Sequence, residues 1–216
     1  MGNNLIMKKA LVAGATGLIG KQLIELLLAD TRYTVTALVR NPMPIIHPNL
    51  KQVVYDFSHP DKKAIAADEI FCCLGTTIKV AGSKAAFYKV DHDYVLHFAQ
   101  AGYSNGAKKF ALVSSMGANK KSAIFYSKTK GLIEEAVSRI GYESVFIYRP
   151  SMLLGQRPDY QAGETVWKFL MKIFDFIIPK KYKAIQARQV AKAMISNMNS
   201  DKKGMHILES DRIADL

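Results

Sequence analysis

The sequence predicts an α/β fold: a doubly wound, mostly parallel sheet with helices on both faces and a small C-terminal substrate lobe. Three observations predict it. Short β-rich apolar runs, suited to strands buried on both faces, alternate with longer amphipathic segments. The first run, KALVAG, leads straight into a glycine-rich turn and an amphipathic helix. After Pro150 the texture changes to a loop rich in Gly and Pro, followed by a strongly apolar segment. Right-handed crossovers between parallel strands then wind helices onto both faces of the sheet.

Along the chain, KALVAG reads as the first strand and GLIGKQLIELLLAD as the helix after it. TVTALV, QVVYDF and EIFCCLG read as three more strands. SKAAFYKVDHDYVLHFAQAGYSNG reads as one long helix. KFALVSS is strand five, and YSKTKGLIEEAVSRIG a helix closed by Gly141. SVFIYRP is strand six, stopped by Pro150. Beyond it lie an apolar helix, TVWKFLMKIFDFIIP, a second helix, AIQARQVAKAMISNM, and a last strand, MHILES. The 216 residues suit a single domain, with residues 151–183 contributing the small substrate lobe.

Composition excludes several classes. With 49% apolar and 22% charged residues the chain is neither disordered nor fibrous. No apolar run reaches the roughly 20 residues of a membrane-spanning helix, so stable membrane insertion is not expected. The opening MGNNLIMKKALVAGATG lacks the pattern of a secretory signal. Cys72 and Cys73 are neighbours on a strand and point to opposite faces, so neither a disulfide nor a metal site is expected. They fit a reducing, cytoplasmic setting. The net charge is +12, but the lysines come as scattered pairs such as Lys62-Lys63 and Lys108-Lys109. That pattern is a solvated surface, with no specific nucleic-acid function.

In an open parallel sheet, ligands bind beyond the carboxyl ends of the strands. Strand one ends in GATGLIG, with Gly14, Gly17 and Gly20 spaced G-x-x-G-x-x-G. Such glycines let backbone approach a pyrophosphate, and the following helix N-terminus offers N–H groups and a positive dipole. Strand two ends at Arg40-Asn41, where an NAD site has an acid; an Arg suits a 2′-phosphate, which favours NADP(H). Strand three ends at Asp56-Phe57. Asp56 can accept from an adenine amino group with Phe57 beside the ring, or cap the turn before Pro60. Strand four ends at Leu74, Gly75 and Thr76, strand five at Ser114-Ser115, and strand six at Arg149-Pro150.

The helix after strand five carries the proposed proton chemistry. Lys130, four residues after Tyr126, shares its face, whereas Lys128 points about 200° round the helix. Tyr126, Lys130, Ile133, Val137 and Ile140 form one stripe, and its apolar members place it toward the sheet. An ammonium there needs a partner, which a cofactor ribose and the tyrosine phenol would supply. A nearby ammonium favours phenolate, so Tyr126 is placed to give a proton to a carbonyl oxygen or take one back, with Ser115 holding the same oxygen. A buried tyrosine beside a snorkelling lysine is the plain structural alternative.

GATGLIG, LVSS and YSKTK together resemble the short-chain dehydrogenase/reductases, in particular the extended and atypical branch with the G-x-x-G-x-x-G loop. FCCLGTT and RPSMLLG are similar to blocks of that branch, and the resemblance runs from about Lys8 to Asp159. It implies a Rossmann-like fold with NADP(H) along the strand ends. It implies Tyr126 as proton donor or acceptor, with Lys130 as its helper and ribose ligand. It places Gly14, Ala15, Thr16, Gly17, Leu18, Ile19, Gly20, Arg40, Asn41, Leu74 and Gly75 at the cofactor, with the segment after Pro150 near the nicotinamide. The family's serine stands farther from its tyrosine than here, where Ser115 lies eleven and Ser114 twelve residues before Tyr126. Strand alternation lets one of the two face the cleft.

Two functions of different classes follow. One is an NADP(H)-dependent oxidoreductase acting on a carbonyl or alcohol of a small molecule. The other is a regulatory protein that binds NADPH without turnover. The apolar helix from Thr165 to Pro179, with Trp167 and Phe174, is read first as packing onto the domain and walling a substrate pocket. A homodimer face or a membrane-surface patch is the alternative. Arg40→Ala is expected to weaken NADPH binding at least about tenfold more than NADH binding; equal losses in a fluorescence titration would remove the 2′-phosphate assignment.

Overall fold

The structure is a computed structural model and describes residues 7–154 and 182–216. Its strands are β1 (Lys8–Ala13), β2 (Tyr33–Val39), β3 (Leu50–Val54), β4 (Glu69–Cys72), β5 (Lys109–Val113), β6 (Ser144–Arg149), β7 (Leu153–Leu154), β8 (Ile185–Gln186) and β9 (Gly204–Glu209). Its helices are α1 (Leu18–Leu28), α2 (Ile78–Ala81), α3 (Lys84–Tyr88), α4 (Val95–Ser104), α5 (Phe125–Ser138), α6 (Ala187–Met198) and α7 (Ser210–Ala214). Seven strands form one sheet in the order β3-β2-β1-β4-β5-β6-β9, with every pair parallel. The doubly wound α/β fold expected from the sequence is the fold observed. The chain winds outward in both directions from β1 and β4, and their carboxyl ends therefore border the crevice.

Strand alternation divides the core into two layers. On β6, Phe146 and Tyr148 join Leu23 and Leu27 of α1 and Val190 and Met194 of α6. Val145 and Ile147 of the same strand join Phe98 of α4 and Ile133 and Val137 of α5 on the other face. Both faces are covered, so each strand reads as a continuous apolar run. At the amino edge of the sheet, buried Glu69 accepts from Lys8 Nζ at 3.0 Å and from the Tyr33 hydroxyl at 2.9 Å. Lys109 Nζ donates to the carbonyls of Met198 and Ser200 at 2.8 and 2.7 Å, closing the C-terminus of α6.

The expected single helix over Ser83–Gly106 is instead α3 and α4 joined by a wide π turn, Lys89–Tyr94. A short α2 also precedes it, capped by the Thr77 hydroxyl and ended by Gly82 at φ +83°. Beyond Arg149, β7 pairs in parallel with β8. The expected lobe helix Thr165–Pro179, with Trp167 and Phe174, lies outside the described residues. Among the described residues no helix is long and apolar enough to cross a membrane.

Gly131 fixes where α5 meets the loop before it. A Cβ there would stand 2.1 Å from the Lys120 nitrogen and 2.4 Å from the Asn119 carbonyl carbon. Gly131→Ala is expected to lower stability by about 1–3 kcal/mol through this overpacking. Urea unfolding that shows no loss would mean that the loop shifts freely.

Candidate functional site

The loop after β1 is built on backbone proximity. Gly14 has φ +75°, and a Cβ on it would lie 2.4 Å from the Cys73 carbonyl oxygen. A Cβ on Gly20 would meet the Gly14 carbonyl oxygen at 2.1 Å, so the first turn of α1 lies flat on the loop. The Gly17 N–H donates to the Gly14 carbonyl at 3.0 Å and opens the helix. No side chain caps α1 at Gly17, and no acidic residue stands in its first turn. Its N–H groups and positive dipole end are thus offered to an external anion. Ala15, Ile19 and Gly20 are buried, and the first two join the core, whereas Thr16 and Gly17 are exposed and Leu18 half-buried. Any contact from Ala15, Ile19 or Gly20 to a ligand would be through backbone.

The other strand ends divide into open and engaged positions. Arg40 and Asn41 are exposed just beyond β2. Asp56 accepts from the Ser58 N–H at 2.8 Å and bonds His59 Nδ1 at 2.9 Å. These bonds, His59 first, lower its pKa, and the Ser58 bond is the turn cap given as the alternative for Asp56. Phe57 stacks on Tyr94 with centroids 5.6 Å apart and has Tyr55 at its edge. Leu74 and Thr76 are half-buried and Gly75 exposed at the end of β4. Arg149 is occupied: its Nε and one terminal nitrogen bind Glu134 at 3.0 and 2.5 Å, and the other reaches Glu209 at 3.3 Å. Pro150 is buried, and its carbonyl accepts from the Met116 N–H at 3.0 Å.

Lys130, Ile133 and Val137 are buried on one stripe of α5, with Lys130 only 5% exposed; Tyr126 begins the stripe half-buried, Ile140 lies beyond the helix end, and Lys128 is exposed. The Tyr126 ring packs on buried Phe87, centroids 5.3 Å apart. The ammonium of Lys130 has a protein partner that the sequence reading did not supply. Its Nζ lies 2.7 Å from Asp91 Oδ1, and Asp91, in the π turn, is fully buried. The other Asp91 oxygen accepts the Thr76 N–H at 2.9 Å. Burial opposes the charge on Lys130, but Asp91, with smaller contributions from Tyr126 and Cys72, holds its pKa above the ordinary lysine value. A Cβ on Gly75 would touch this pair, 3.4 Å from Asp91 Oδ1 and 3.5 Å from Lys130 Nζ.

The two serines part company. Ser114 is buried, and its hydroxyl donates to Glu134 in a very short hydrogen bond, inside the network with Arg149. Ser115 is half-buried, and its hydroxyl donates only a long bond to the Met116 carbonyl, 3.4 Å. Asp91, Tyr94 and Glu134 were absent from the sequence reading. Asp91 had a readable sign: Phe87, Asp91, Val95 and Phe98 follow at helical spacing, and all four are buried. An acid on an apolar stripe calls for a counter-charge.

Fold and strand-end geometry together define a doubly wound, Rossmann-like α/β protein with a glycine loop suited to a dinucleotide. The chain belongs to the NAD(P)H-binding family, whose model matches residues 14–144. It is 34% identical to Protein HTATIP2 of Rattus norvegicus over 97% of this chain and 89% of that one. It is 33% identical to "Protein FMP52, mitochondrial" of Eremothecium gossypii over 96% of each. Among solved structures it is similar to a UDP-N-acetylglucosamine 4-epimerase from Methanobrevibacter ruminantium, TM-score 0.70 at 19% identity, covering 94% of this chain and 76% of that one. MoeE5 in complex with UDP-glucuronic acid and NAD gives TM-score 0.73 at 17% identity, with the same coverage. These two likenesses concern the fold.

Arg149 supports buried Glu134. Arg149→Met is expected to cost about 3 kcal/mol, because it leaves a carboxylate buried without its counter-charge. Urea unfolding within about 0.5 kcal/mol of the parent would free Arg149 from this structural role.

Proposed function

We propose that this protein is an NADP(H)-dependent oxidoreductase that reduces a carbonyl, or oxidises an alcohol, on a small molecule. The observation that carries it is Tyr126 and Lys130 on one inward stripe of α5, with the Lys130 ammonium against Gly75 at the end of β4. β4 is the direct neighbour of β1, whose end bears the glycine loop. The residues fit a dinucleotide. The uncapped start of α1 suits a pyrophosphate, and exposed Arg40 suits a 2′-phosphate. The bound cofactor would supply the hydride. Tyr126 would give the proton to the substrate oxygen, Ser115 would hold that oxygen, and Lys130 would bind the ribose and assist Tyr126. In this reading Arg149 supports α5 from behind and touches no ligand.

The preference for NADP(H) over NAD(H) rests on Arg40 standing where an acid would select NAD. The UDP-sugars named with the similar structures stay with those proteins. The two unpaired cysteines, Cys72 and Cys73, fit a reducing cytoplasm. A second reading, NADPH binding without turnover, is favoured by one feature: Asp91 already neutralises Lys130, leaving less of its field for the phenol.

Tyr126→Phe is expected to bind NADPH as the parent does and to lose at least about 100-fold in turnover, the scale of one general acid. Titration and a carbonyl panel on both proteins check it. Binding in both with no turnover by the parent would select the sensor reading. No NADPH binding by the parent would overturn both.

A further inference from the structure

We propose that Asp91 is a positioning residue whose carboxylate holds the buried Lys130 ammonium at the end of β4, ready before any dinucleotide arrives; the last clause rests on the reading above. The carboxylate is fixed at both oxygens. One lies 2.7 Å from Lys130 Nζ and the other accepts the Thr76 N–H at 2.9 Å. The side chains of Lys130 and Asp91 are 6% and 0% exposed, so bulk solvent is kept from the pair. Asp91 therefore ties three elements together: the π turn, α5 and the loop after β4. A π turn inside a helix often marks a working position, and here it is the turn that carries the acid. An ammonium has three N–H donors. Lys130 meets Asp91 as an ion pair at 2.7 Å, which leaves its donors open to a ribose and a phenol.

The charged and titratable groups facing Lys130 are few among the described residues. They are Asp91 from the π turn, Tyr126 from α5 itself and Cys72 from β4. Burial pushes the Cys72 thiol up to about 12, so it stays neutral near physiological pH. Asp91 is thus the counter-charge. Without it, burial would dominate and the folded-state pKa of Lys130 would fall below its value in the unfolded chain. The sign follows from linkage. Between those two values the unfolded state binds one more proton, so the stability of an Asp91→Asn variant would rise with pH. In the parent the pKa is raised, so Lys130 stays protonated in both states and adds no slope across neutral pH.

The test compares the parent, Asp91→Asn and Asp91→Asn/Lys130→Met, each without ligand, by thermal unfolding from about pH 6 to about pH 9, a window that buried lysines can enter. Asparagine keeps the acceptor for the Thr76 N–H. The Tm deficit of Asp91→Asn should shrink as pH rises, and the double variant should show no such trend. A deficit that does not change with pH, or a trend that survives in the double variant, would overturn the proposal. If Asp91→Asn does not fold but the double variant does, the unpaired ammonium is the cause and the proposal stands; failure of both to fold overturns it. NADPH titration over the same range should show the affinity of Asp91→Asn falling about tenfold relative to the parent as Lys130 loses its proton. An unchanged affinity ratio would overturn the link to the dinucleotide. Absence of NADPH binding in the parent would instead defeat the functional reading and leave Asp91 to be judged on unfolding alone.

Discussion

An ammonium buried in an apolar layer costs several kcal/mol unless a counter-charge and hydrogen bonds receive it. That constraint organises the region around Lys130. α5 packs its apolar stripe onto the sheet through Ile133 and Val137, and the same stripe carries Lys130 inward. The helix can dock this way because Asp91 meets the charge from the π turn. Asp91 in turn is held by the Thr76 N–H, which fixes the loop leaving β4. Helix docking, the break in the preceding helix and the conformation of a strand-end loop are thus one electrostatic arrangement.

The strand order explains why this arrangement is useful. β1 and β4 are neighbours, but the chain departs from them in opposite directions. In such a sheet the carboxyl ends at that point border the crevice where ligands bind. One lip is the glycine loop, where a Cβ on Gly14 would strike the Cys73 carbonyl of the other lip. The other lip continues through Gly75, against which the Lys130–Asp91 pair rests. Dipole charge from α1 suits an anion there, whereas the Lys130 charge is already met by Asp91, so its ammonium can serve the same edge only as a hydrogen-bond donor. The charged groups at the amino edge, Lys8 and Glu69, neutralise each other and serve the sheet.

The fold was legible because its signs are local. Apolar strand runs and three glycines between a strand and a helix are each contained in a short stretch. Tyr126 and Lys130 were legible for the same reason, since helical spacing alone puts them on one face. Asp91 was legible only as an acid on an apolar stripe; its partner was not, because that lysine stands 39 residues later and meets it across a widened helix turn. Arg149 shows the converse. At a strand end it looks available to a ligand, but Glu134 on α5 and Glu209 on β9 claim its guanidinium. Asp56 likewise closes its own turn. Position along a strand reveals which residues reach the crevice edge, but not which of them a neighbouring element has already bound.

The serine shows how such engagement narrows a choice. Ser114 and Ser115 both follow β5, and spacing to Tyr126 did not decide between them. The Ser114 hydroxyl donates to Glu134, which is also gripped by Arg149. Turning that hydroxyl toward a substrate would leave a buried carboxylate oxygen short of a donor, a cost of about 1–3 kcal/mol. The Ser115 hydroxyl gives up only a long bond to a carbonyl when it turns. The lower cost falls on Ser115. Ser114 instead joins Glu134 and Arg149 in the network that links β5, α5 and β6, and so serves the helix that carries Tyr126.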